Sequence, residues 1–264
     1  MEKLSRNNRV VAITKILTET PNKVIGLNKF SELLNAAKST ISEDIVIVRE
    51  LLEKLHMGRI ETISGAAGGI KFIPDMGNEE KINFCNELCD LLMEDGRIVP
   101  GNFIYLTDIM YNPQIVSKAG VILSSYFKNM NIDYIVTVET KGIPLAYEMA
   151  RQAGMNDYIV ARKGPKLYMK NVVTTEVNSI TTDHIQTLCL GQDEIDKMKD
   201  KRVLIVDNVI STGESLKSLE VLVKQVGGNI VGSMAVLAEG EAADRDDILF
   251  LEKLPLFNAD GSVK

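Results

Sequence analysis

Hydroxyl-bearing residues follow an apolar run at one place in this 264-residue sequence. The apolar residues 203–206 end at Asp207, and the short segment 208–215 leads into an amphipathic stretch. Backbone N–H groups at the start of a helix, with hydroxyls beside them, can bind a phosphate group. An acid directly before them can bind sugar hydroxyls, as in other nucleotide sites. This pattern predicts a site for a phosphorylated sugar, and the alternative is an ordinary strand–turn–helix connection with a Ser/Thr cap.

A cation and a glycine follow a second apolar run. Residues 139–144 come after the run 133–138 and open another amphipathic stretch. Lys141 brings a positive charge, and Gly142 permits close approach to the backbone. A plain strand–helix connection has the same pattern, so this segment supports a ligand site only in combination with the first.

Three cations follow a third, shorter apolar run, residues 158–161. They are Arg162, Lys163 and Lys166. Ligands of parallel sheets bind beyond the carboxyl ends of the strands, so the three loops are expected to meet at one edge of a sheet. The alternative for this segment is a solvated basic loop.

The elements that must position these loops alternate from residue 99 onward. The predicted strands are 133–138, 158–161, 203–207 and 229–237, and the predicted helices are 142–153 and 215–226. Such alternation is typical of a mostly parallel sheet with helices on both faces. The sequence therefore predicts an α/β domain over residues 75–264.

Residues 1–74 predict a small domain of their own. Three helical patterns precede two alternating segments, 58–63 and 70–73, which a glycine-rich turn separates. Three helices followed by a hairpin is the order of a winged helix. Asn28 is the candidate cap of the second helix, and the third helix is expected to begin at Ser39 or Ser42. Val11 is assigned to the apolar face of the first helix, and Leu51 and Leu55 to the core face of the third.

A junction at residues 74–78 separates the two predicted domains. The helix predicted after it, over residues 79–93, places Ile82, Cys85, Cys89 and Leu92 on one side. Two core thiols are expected there rather than a metal site, because no His or further Cys lies nearby in the sequence.

Composition excludes several classes of protein. The 45% hydrophobic and 25% charged fractions exclude global disorder. No apolar run reaches the ~18 residues of a membrane span, and the N-terminus lacks a signal-peptide pattern. Three cysteines fit reduced thiols, so we expect a cytoplasmic protein. The two histidines argue against a His-rich metal site.

Charge is unevenly distributed along the chain. Residues 1–74 hold 11 Lys and Arg against 8 Asp and Glu, whereas the remainder holds 19 against 28 and the net charge is −6. The mildly basic segment 1–74, called the head below, permits nucleic-acid binding but does not establish it.

The predicted helix-turn-helix supplies candidate DNA contacts. Small hydroxyl residues near the start of its second helix can reach phosphates or base edges, and basic side chains can hold the DNA backbone. The predicted DNA-binding residues are Lys38, Ser39, Thr40, Ser42, Arg59, Lys71 and Arg6, with Arg9 and Arg49 as further candidates. The alternative is a winged helix that serves protein contacts or dimerisation.

The polar loops together resemble those of the type I phosphoribosyltransferases. Residues 203–215 resemble the phosphoribosyl pyrophosphate (PRPP) motif of that family, and residues 161–168 resemble the Arg-Lys…Lys-Leu segment of its adenine-type members. The resemblance implies that PRPP binds with Mg²⁺, and that a mobile loop covers residues 168–187, including His184. The residues it assigns to PRPP are Asp207, Asn208, Ser211, Thr212, Gly213, Glu214, Ser215, Thr140, Lys141, Gly142, Arg162, Lys163 and Lys166.

Within that set, the resemblance implies distinct roles. Asp207 would bind the ribose hydroxyls, the segment 211–215 would hold the 5′-phosphate, and the loop 140–142 would bind pyrophosphate. Two positions depart from the family pattern: Asn208 stands in place of a second acid, and Glu214 stands where a glycine is frequent.

The order of the two domains resembles the purine operon repressor family of Gram-positive bacteria. The segments that carry this resemblance are 38–44, 64–74, 98–101, 105–109 and 140–147. It implies a homodimeric repressor of purine genes that binds a double-stranded DNA operator and senses PRPP. Guanosine tetraphosphate or a purine base is a further expected ligand of the same pocket.

Two functions remain open from the sequence. A regulator that binds PRPP without turnover is favoured, because a DNA-binding head serves no purpose on a housekeeping transferase. The alternative is an active purine phosphoribosyltransferase with an attached winged helix. Asn208 separates the two, because the loss of one acid weakens the ribose and metal end of the site. No catalytic residue is assigned.

Overall fold

The computed structural model describes residues 4–94, 96–99, 103–178, 185–211 and 214–254. The chain divides into two compact units. The N-terminal unit comprises residues 1–81 with 151–154, and the C-terminal unit comprises residues 82–150 with 155–264.

The N-terminal unit has the element order of a winged helix, as predicted. Its strands pair antiparallel, with Ile60 opposite Phe72, and an isolated bridge joins Ile25 to Ile70. Its elements are α1 (Arg6–Glu19), α2 (Leu27–Leu34), α3 (Lys38–Lys54), β1 (Arg59–Ile63) and β2 (Gly69–Ile73).

Backbone geometry, rather than a hydroxyl cap, begins α3. Asn35 takes the left-handed conformation, at φ 47°, and so ends α2 and turns the chain. The N-cap residue of α3 is Ala37, directly before Lys38, and its side chain makes no cap hydrogen bond. The predicted caps at Ser39 and Ser42 are therefore wrong. The Ser42 hydroxyl donates instead to the carbonyl oxygen of Lys38 at 2.9 Å. The Asn28 cap is also wrong, since Gly26 precedes α2.

The core of the N-terminal unit is narrower than the helical patterns predict. Side chains from all three helices and both strands form it, among them Ile13, Leu17, Phe30, Ile41, Val48 and Phe72. Val11 is 68% exposed, and Leu51 and Leu55 are each about half exposed, so their assignment to the core is wrong. These positions lie at the margins of the apolar stripe, where only the tertiary arrangement decides burial.

The C-terminal unit contains a five-stranded parallel sheet, which confirms the α/β prediction. The strand order is β11-β10-β9-β5-β6, and every neighbouring pair is parallel. The elements after β2 are α4 (Asn78–Leu92), β3 (Ile98–Val99), β4 (Phe103–Ile104), α5 (Thr107–Met110), α6 (Pro113–Ser124), β5 (Tyr134–Val138), α7 (Ile143–Gln152), β6 (Ile159–Ala161), β7 (Val173–Asn178), β8 (Ile185–Leu190), α8 (Gln192–Met198), β9 (Arg202–Ile210), α9 (Glu214–Gln225), β10 (Asn229–Ala238) and β11 (Ile248–Lys253).

The core assignment for α4 is wrong, and the segment expected as a mobile loop contains regular structure. Helix α4 buries Phe84, Leu88 and Leu92, whereas Ile82 is 61% exposed and both cysteines are only half-buried. The segment expected as a mobile loop contains an antiparallel pair, β7 with β8. His184 and residues 179–183 lie outside the described residues. Within the described residues, no helix combines the length and apolarity needed to cross a bilayer.

Candidate functional site

The loops after β5 and β6 lie side by side, as the sequence predicts. Val138 pairs with Ala161 in the parallel register. The amide of Glu139, the first residue beyond β5, donates to the carbonyl oxygen of Ala161 at 2.9 Å. Because β9 is the other neighbour of β5, three of the strand ends that bear polar loops share one edge of the sheet. This is where ligands of parallel sheets bind.

Gly142 brings the loop after β5 against the end of β9. A β-carbon built at position 142 would lie 2.1 Å from Oγ1 of Thr137 and 3.0 Å from Oδ1 of Asp207. Thr137 is fully buried, and its Oγ1 has no hydrogen-bond partner in the described part of the chain. Thr140 and Lys141 are exposed just before this contact. Thr140 and Lys141 are thus open to a ligand, and the buried Gly142 that follows them lies against the Asp207 carboxyl.

The Asp207 carboxyl is partly withdrawn from solvent. Its Oδ1 accepts a hydrogen bond from the amide of Asn208 at 2.8 Å. Burial raises the pKa of Asp207 to about 6, against a smaller opposing effect of that hydrogen bond and of the positive charge of Lys163. The carboxyl is therefore ionised at neutral pH but close to its titration range. Such a shift is typical of groups at functional sites.

The cations after β6 surround an acid that the sequence analysis did not select. Arg162 Nη1 lies 3.5 Å from Oε1 of Glu139, and Lys166 Nζ lies 3.6 Å from its Oε2. The amide of Lys163 donates to the same Oε2 at 3.1 Å. This amide, together with the two cations, lowers the pKa of Glu139. The sequence alone does not show this contact, because it depends on β5 and β6 being neighbours in the sheet.

The segment assigned to the 5′-phosphate is described only at its two ends. Strand β9 continues to Ile210 and includes Asn208, which the sequence placed in the loop. Helix α9 begins at Glu214, one residue earlier than predicted, so this acid lies in the first turn, where the helix dipole favours negative charge. Ser211 is half-buried and Ser215 is exposed. Thr212 and Gly213 lie outside the described residues, and the roles given to all of them stay predictions.

The predicted DNA contacts of the N-terminal unit lie mostly on its surface. Lys38, Ser39 and Ser42 are exposed in the first turns of α3, and Thr40 is half-buried. They form one exposed group at the start of the second helix of the helix-turn-helix. A helix in this position can enter the major groove of DNA with its N-terminal residues toward the bases.

Several basic side chains of this unit are already paired with carboxylates. Arg59 and Lys71 lie 3.1 and 3.6 Å from the Glu61 carboxylate. Arg6 lies 3.5 Å from Asp44. DNA contact by these three side chains would exchange a carboxylate partner for a phosphate.

Two further candidate basic residues have internal roles. Arg9 is buried against Asp44, with its Nε donating to Oδ2 at 2.7 Å, so it is not a free DNA contact. Arg49 donates to the carbonyl oxygen of Ile60 at 3.2 Å and to the Thr62 hydroxyl at 3.1 Å, and thereby joins α3 to β1.

Comparison with known proteins identifies both halves of the chain. The family model described as "Bacterial purine repressor, N-terminal" matches residues 5–74, and the "Phosphoribosyl transferase domain" model matches residues 106–259. The purine biosynthesis transcriptional repressor PurR of Bacillus subtilis (strain 168) is 35% identical, over 97% of this chain and 90% of its own length. The chain belongs to the bacterial purine repressor family.

Members of the purine repressor family carry different regulatory names. The purine biosynthesis transcriptional activator PurR of Lactococcus lactis subsp. lactis (strain IL1403) is 30% identical, over 90% of this chain and 86% of its own length.

A solved adenine phosphoribosyltransferase from Thermoanaerobacter pseudethanolicus is 20% identical with a TM-score of 0.53, over 63% of this chain and 98% of that one. The structural match confirms the phosphoribosyltransferase fold, and the N-terminal model indicates a DNA-binding domain.

Proposed function

We propose that this protein is a DNA-binding transcriptional regulator of purine biosynthesis and transport genes, with PRPP as its effector. The observation that carries the proposal is the close approach of Gly142 to Asp207 at the carboxyl edge of the sheet. It brings the exposed Thr140 and Lys141 close to the Asp207 carboxyl, and the basic loop after β6 adjoins the same edge of the sheet. The same chain carries a winged helix with exposed hydroxyl residues at the start of α3, the second helix of its helix-turn-helix.

The chemistry of the site suits a pentose that carries several phosphates. Asp207 accepts hydrogen bonds from the ribose hydroxyls, and the backbone at 140–142, with Lys141, receives the pyrophosphate. Arg162, Lys163 and Lys166 add positive charge on the neighbouring loop. Ser211 and Ser215 belong to the segment that would hold the 5′-phosphate.

Mg²⁺ would enter this site together with PRPP. Carboxylate, amide and hydroxyl oxygens are the ligands that hard divalent cations prefer, and the bound phosphates supply further oxygens. The buried Thr137 hydroxyl, which has no hydrogen-bond partner in the described part of the chain, fits such a polar ligand. Asp207 and Asn208 are the residues that would face the metal and the ribose.

Regulation follows if PRPP binds the DNA-competent and DNA-incompetent states with different affinity. A coupling free energy of about 1–3 kcal/mol would change operator affinity ~5–150-fold.

We propose a homodimer, because two heads related by a two-fold axis can bind two operator half-sites. Guanosine tetraphosphate, which also carries diphosphate groups, would compete for the same cations. We propose that PRPP binding relieves repression by this protein. The Lactococcus relative is named an activator, which is the opposite effect on transcription.

An active purine phosphoribosyltransferase is the second candidate. The basic loop after β6 favours it, because Arg162 and Lys166 could stabilise a departing pyrophosphate. The amide of Asn208 argues against it, because an amide adds no negative charge at the ribose and metal end.

The test is operator binding by the full chain, titrated with PRPP and Mg²⁺. Asp207→Ala is expected to abolish the PRPP response and to leave DNA binding intact, whereas Asp246→Ala, an exposed acid, should change neither. A retained PRPP response in Asp207→Ala would refute the role of this carboxyl. Incubation with PRPP, Mg²⁺ and each purine base then separates the two candidates, because steady pyrophosphate release would establish the transferase.

A further inference from the structure

The basic loop after β6 contains an internal anion. Glu139 is 19% exposed at its side chain and contacts Arg162, Lys166 and the amide of Lys163 at 3.1–3.6 Å. Every one of the three residues that the loop offers to a phosphate group thus contributes a contact to this one carboxylate. Arg162 and Lys166 are only about one-third exposed, so the pairing is partly shielded from solvent.

This arrangement has a direct electrostatic consequence for an anionic ligand. A diphosphate that approaches the loop must either displace the Glu139 carboxylate or bind next to its negative charge. Displacement breaks two ion pairs and one charge-assisted hydrogen bond, and coexistence brings like charges together. Both routes lower the affinity for the diphosphate relative to a loop without the acid.

We propose that Glu139 is a built-in competitor for the phosphate groups of the effector, and that it sets the ligand concentration at which the site fills. This inference rests on the proposed function, since it concerns the same site. Glu139 does not touch Asp207 in any described contact, so its direct competition is for the cations at the diphosphate end. The protein would thereby respond to abundant rather than to trace effector.

The opposite role, in which Glu139 supports ligand binding, predicts a change in affinity of the opposite sign when Glu139 is removed. If Glu139 instead held Arg162 and Lys166 in the geometry that a ligand needs, its removal would weaken binding. The sign of the change in affinity therefore decides between a competitor and a positioning residue.

The experiment is calorimetric titration of the full chain with inorganic pyrophosphate and, separately, with PRPP and Mg²⁺. Glu139→Gln keeps the size of the side chain and an acceptor for the Lys163 amide, but removes the charge. Glu176→Gln, at an exposed position on β7, changes the net charge by the same amount and serves as the matched control. Glu139→Ala is a second variant, and circular dichroism confirms that each variant folds.

We expect Glu139→Gln and Glu139→Ala to bind pyrophosphate about tenfold more tightly than the wild type, and Glu176→Gln to match the wild type. The affinity of the Glu139 variants should also fall more steeply with salt, because the freed cations hold counterions that the ligand must release. Unchanged or weaker pyrophosphate binding would overturn the inference.

The two ligands separate this inference from the proposed function. If Glu139→Gln tightens pyrophosphate binding while no variant binds PRPP, the competitor role stands and the PRPP effector is wrong. If the wild type binds PRPP and Glu139→Gln binds both ligands no more tightly, the effector stands and the competitor role is wrong.

Discussion

Gly142 lies so close to Thr137 that a β-carbon at position 142 would fall 2.1 Å from the threonine hydroxyl oxygen. Thr137 is fully buried on β5, between β6 and β9, and has no space to withdraw. The same β-carbon would lie 3.0 Å from the carboxylate of Asp207. Packing alone thus requires glycine at the point where the loop meets the site.

Gly142→Ala is expected to push the loop at 140–142 away from Asp207. Overpacking of this kind costs about 1–3 kcal/mol of stability. Because the displaced backbone no longer faces the carboxyl, binding of PRPP with Mg²⁺ should fall well beyond what the loss of stability explains. Calorimetric titration and thermal unfolding of the same preparation measure both effects.

A second substitution tests the steric cause. Thr137→Ala in the Gly142→Ala background removes the nearest atom and should recover part of both the stability and the binding. If the double variant is no better than Gly142→Ala alone, contact with Thr137 is not what requires glycine.

The raised pKa of Asp207 predicts a pH-dependent stability. Burial raises this pKa from 3.8 to about 6, so folding favours the protonated carboxyl. The contribution of the carboxyl to stability is complete below pH 3.8 and is lost as the pH rises through 6. Asp207→Asn keeps an acceptor for the Asn208 amide and removes the charge. It should be more stable than the wild type by about 1–3 kcal/mol at pH 8.

Calorimetric unfolding at pH 8 and pH 5 checks this prediction. The advantage of Asp207→Asn should shrink at pH 5, where the wild-type carboxyl is largely protonated in the folded state. Asp246→Asn, at an exposed position, provides the control. An advantage of equal size at both pH values, or none at pH 8, contradicts the assignment.

The buried pair of Arg9 and Asp44 predicts a large loss of stability in the N-terminal unit. Their side chains are 8% and 1% exposed, and the pair joins α1 to the first turns of α3. Asp44→Ala leaves the Arg9 guanidinium buried without its partner, which costs about 3–5 kcal/mol. The winged helix should then unfold at a lower temperature than the C-terminal unit, as a separate calorimetric transition.

Arg6→Ala is the matched comparison for Asp44→Ala. Arg6 contacts the same carboxylate at 3.5 Å but is 59% exposed, so its loss should cost no more than about 1 kcal/mol. We expect Arg6→Ala to weaken DNA binding while the head stays folded. Equal destabilisation by Arg6→Ala and Asp44→Ala would show that burial does not separate the two arginines.

Regular periodicity predicted the elements that depend on local pattern. The hairpin of the winged helix and four of the five parallel strands lie within a few residues of their predicted positions, because alternation and apolar runs report burial directly. Strand β11 was not predicted. The start of α3 was missed, since Ser39 and Ser42 resemble caps in sequence while the left-handed Asn35 sets the real boundary. Burial at the edges of helical stripes was also missed, as Leu51 illustrates.

Contacts between distant residues could not be predicted from the chain alone. Arg9 and Asp44 are 35 positions apart, and Glu139 and Lys163 are 24 positions apart. Each residue looks like an ordinary surface charge in its own segment. Only the order of strands in the sheet brings the acid after β5 to the cations after β6.

Lys38 and Arg59 should differ in their effect on DNA binding. Lys38 is exposed at the start of α3, whereas Arg59 already pairs with Glu61 at 3.1 Å. A lysine that neutralises one phosphate contributes about one unit to the slope of log K against log salt concentration. Lys38→Ala should therefore weaken operator binding and reduce that slope by about one. Arg59→Ala should have a smaller effect in the same direction, because the arginine gives up a carboxylate to reach DNA.

Lys217→Ala, an exposed lysine in the C-terminal unit, is the charge-matched control. Fluorescence anisotropy over a salt series measures all three variants, and an unchanged slope in Lys38→Ala would show that the DNA face lies elsewhere on the head.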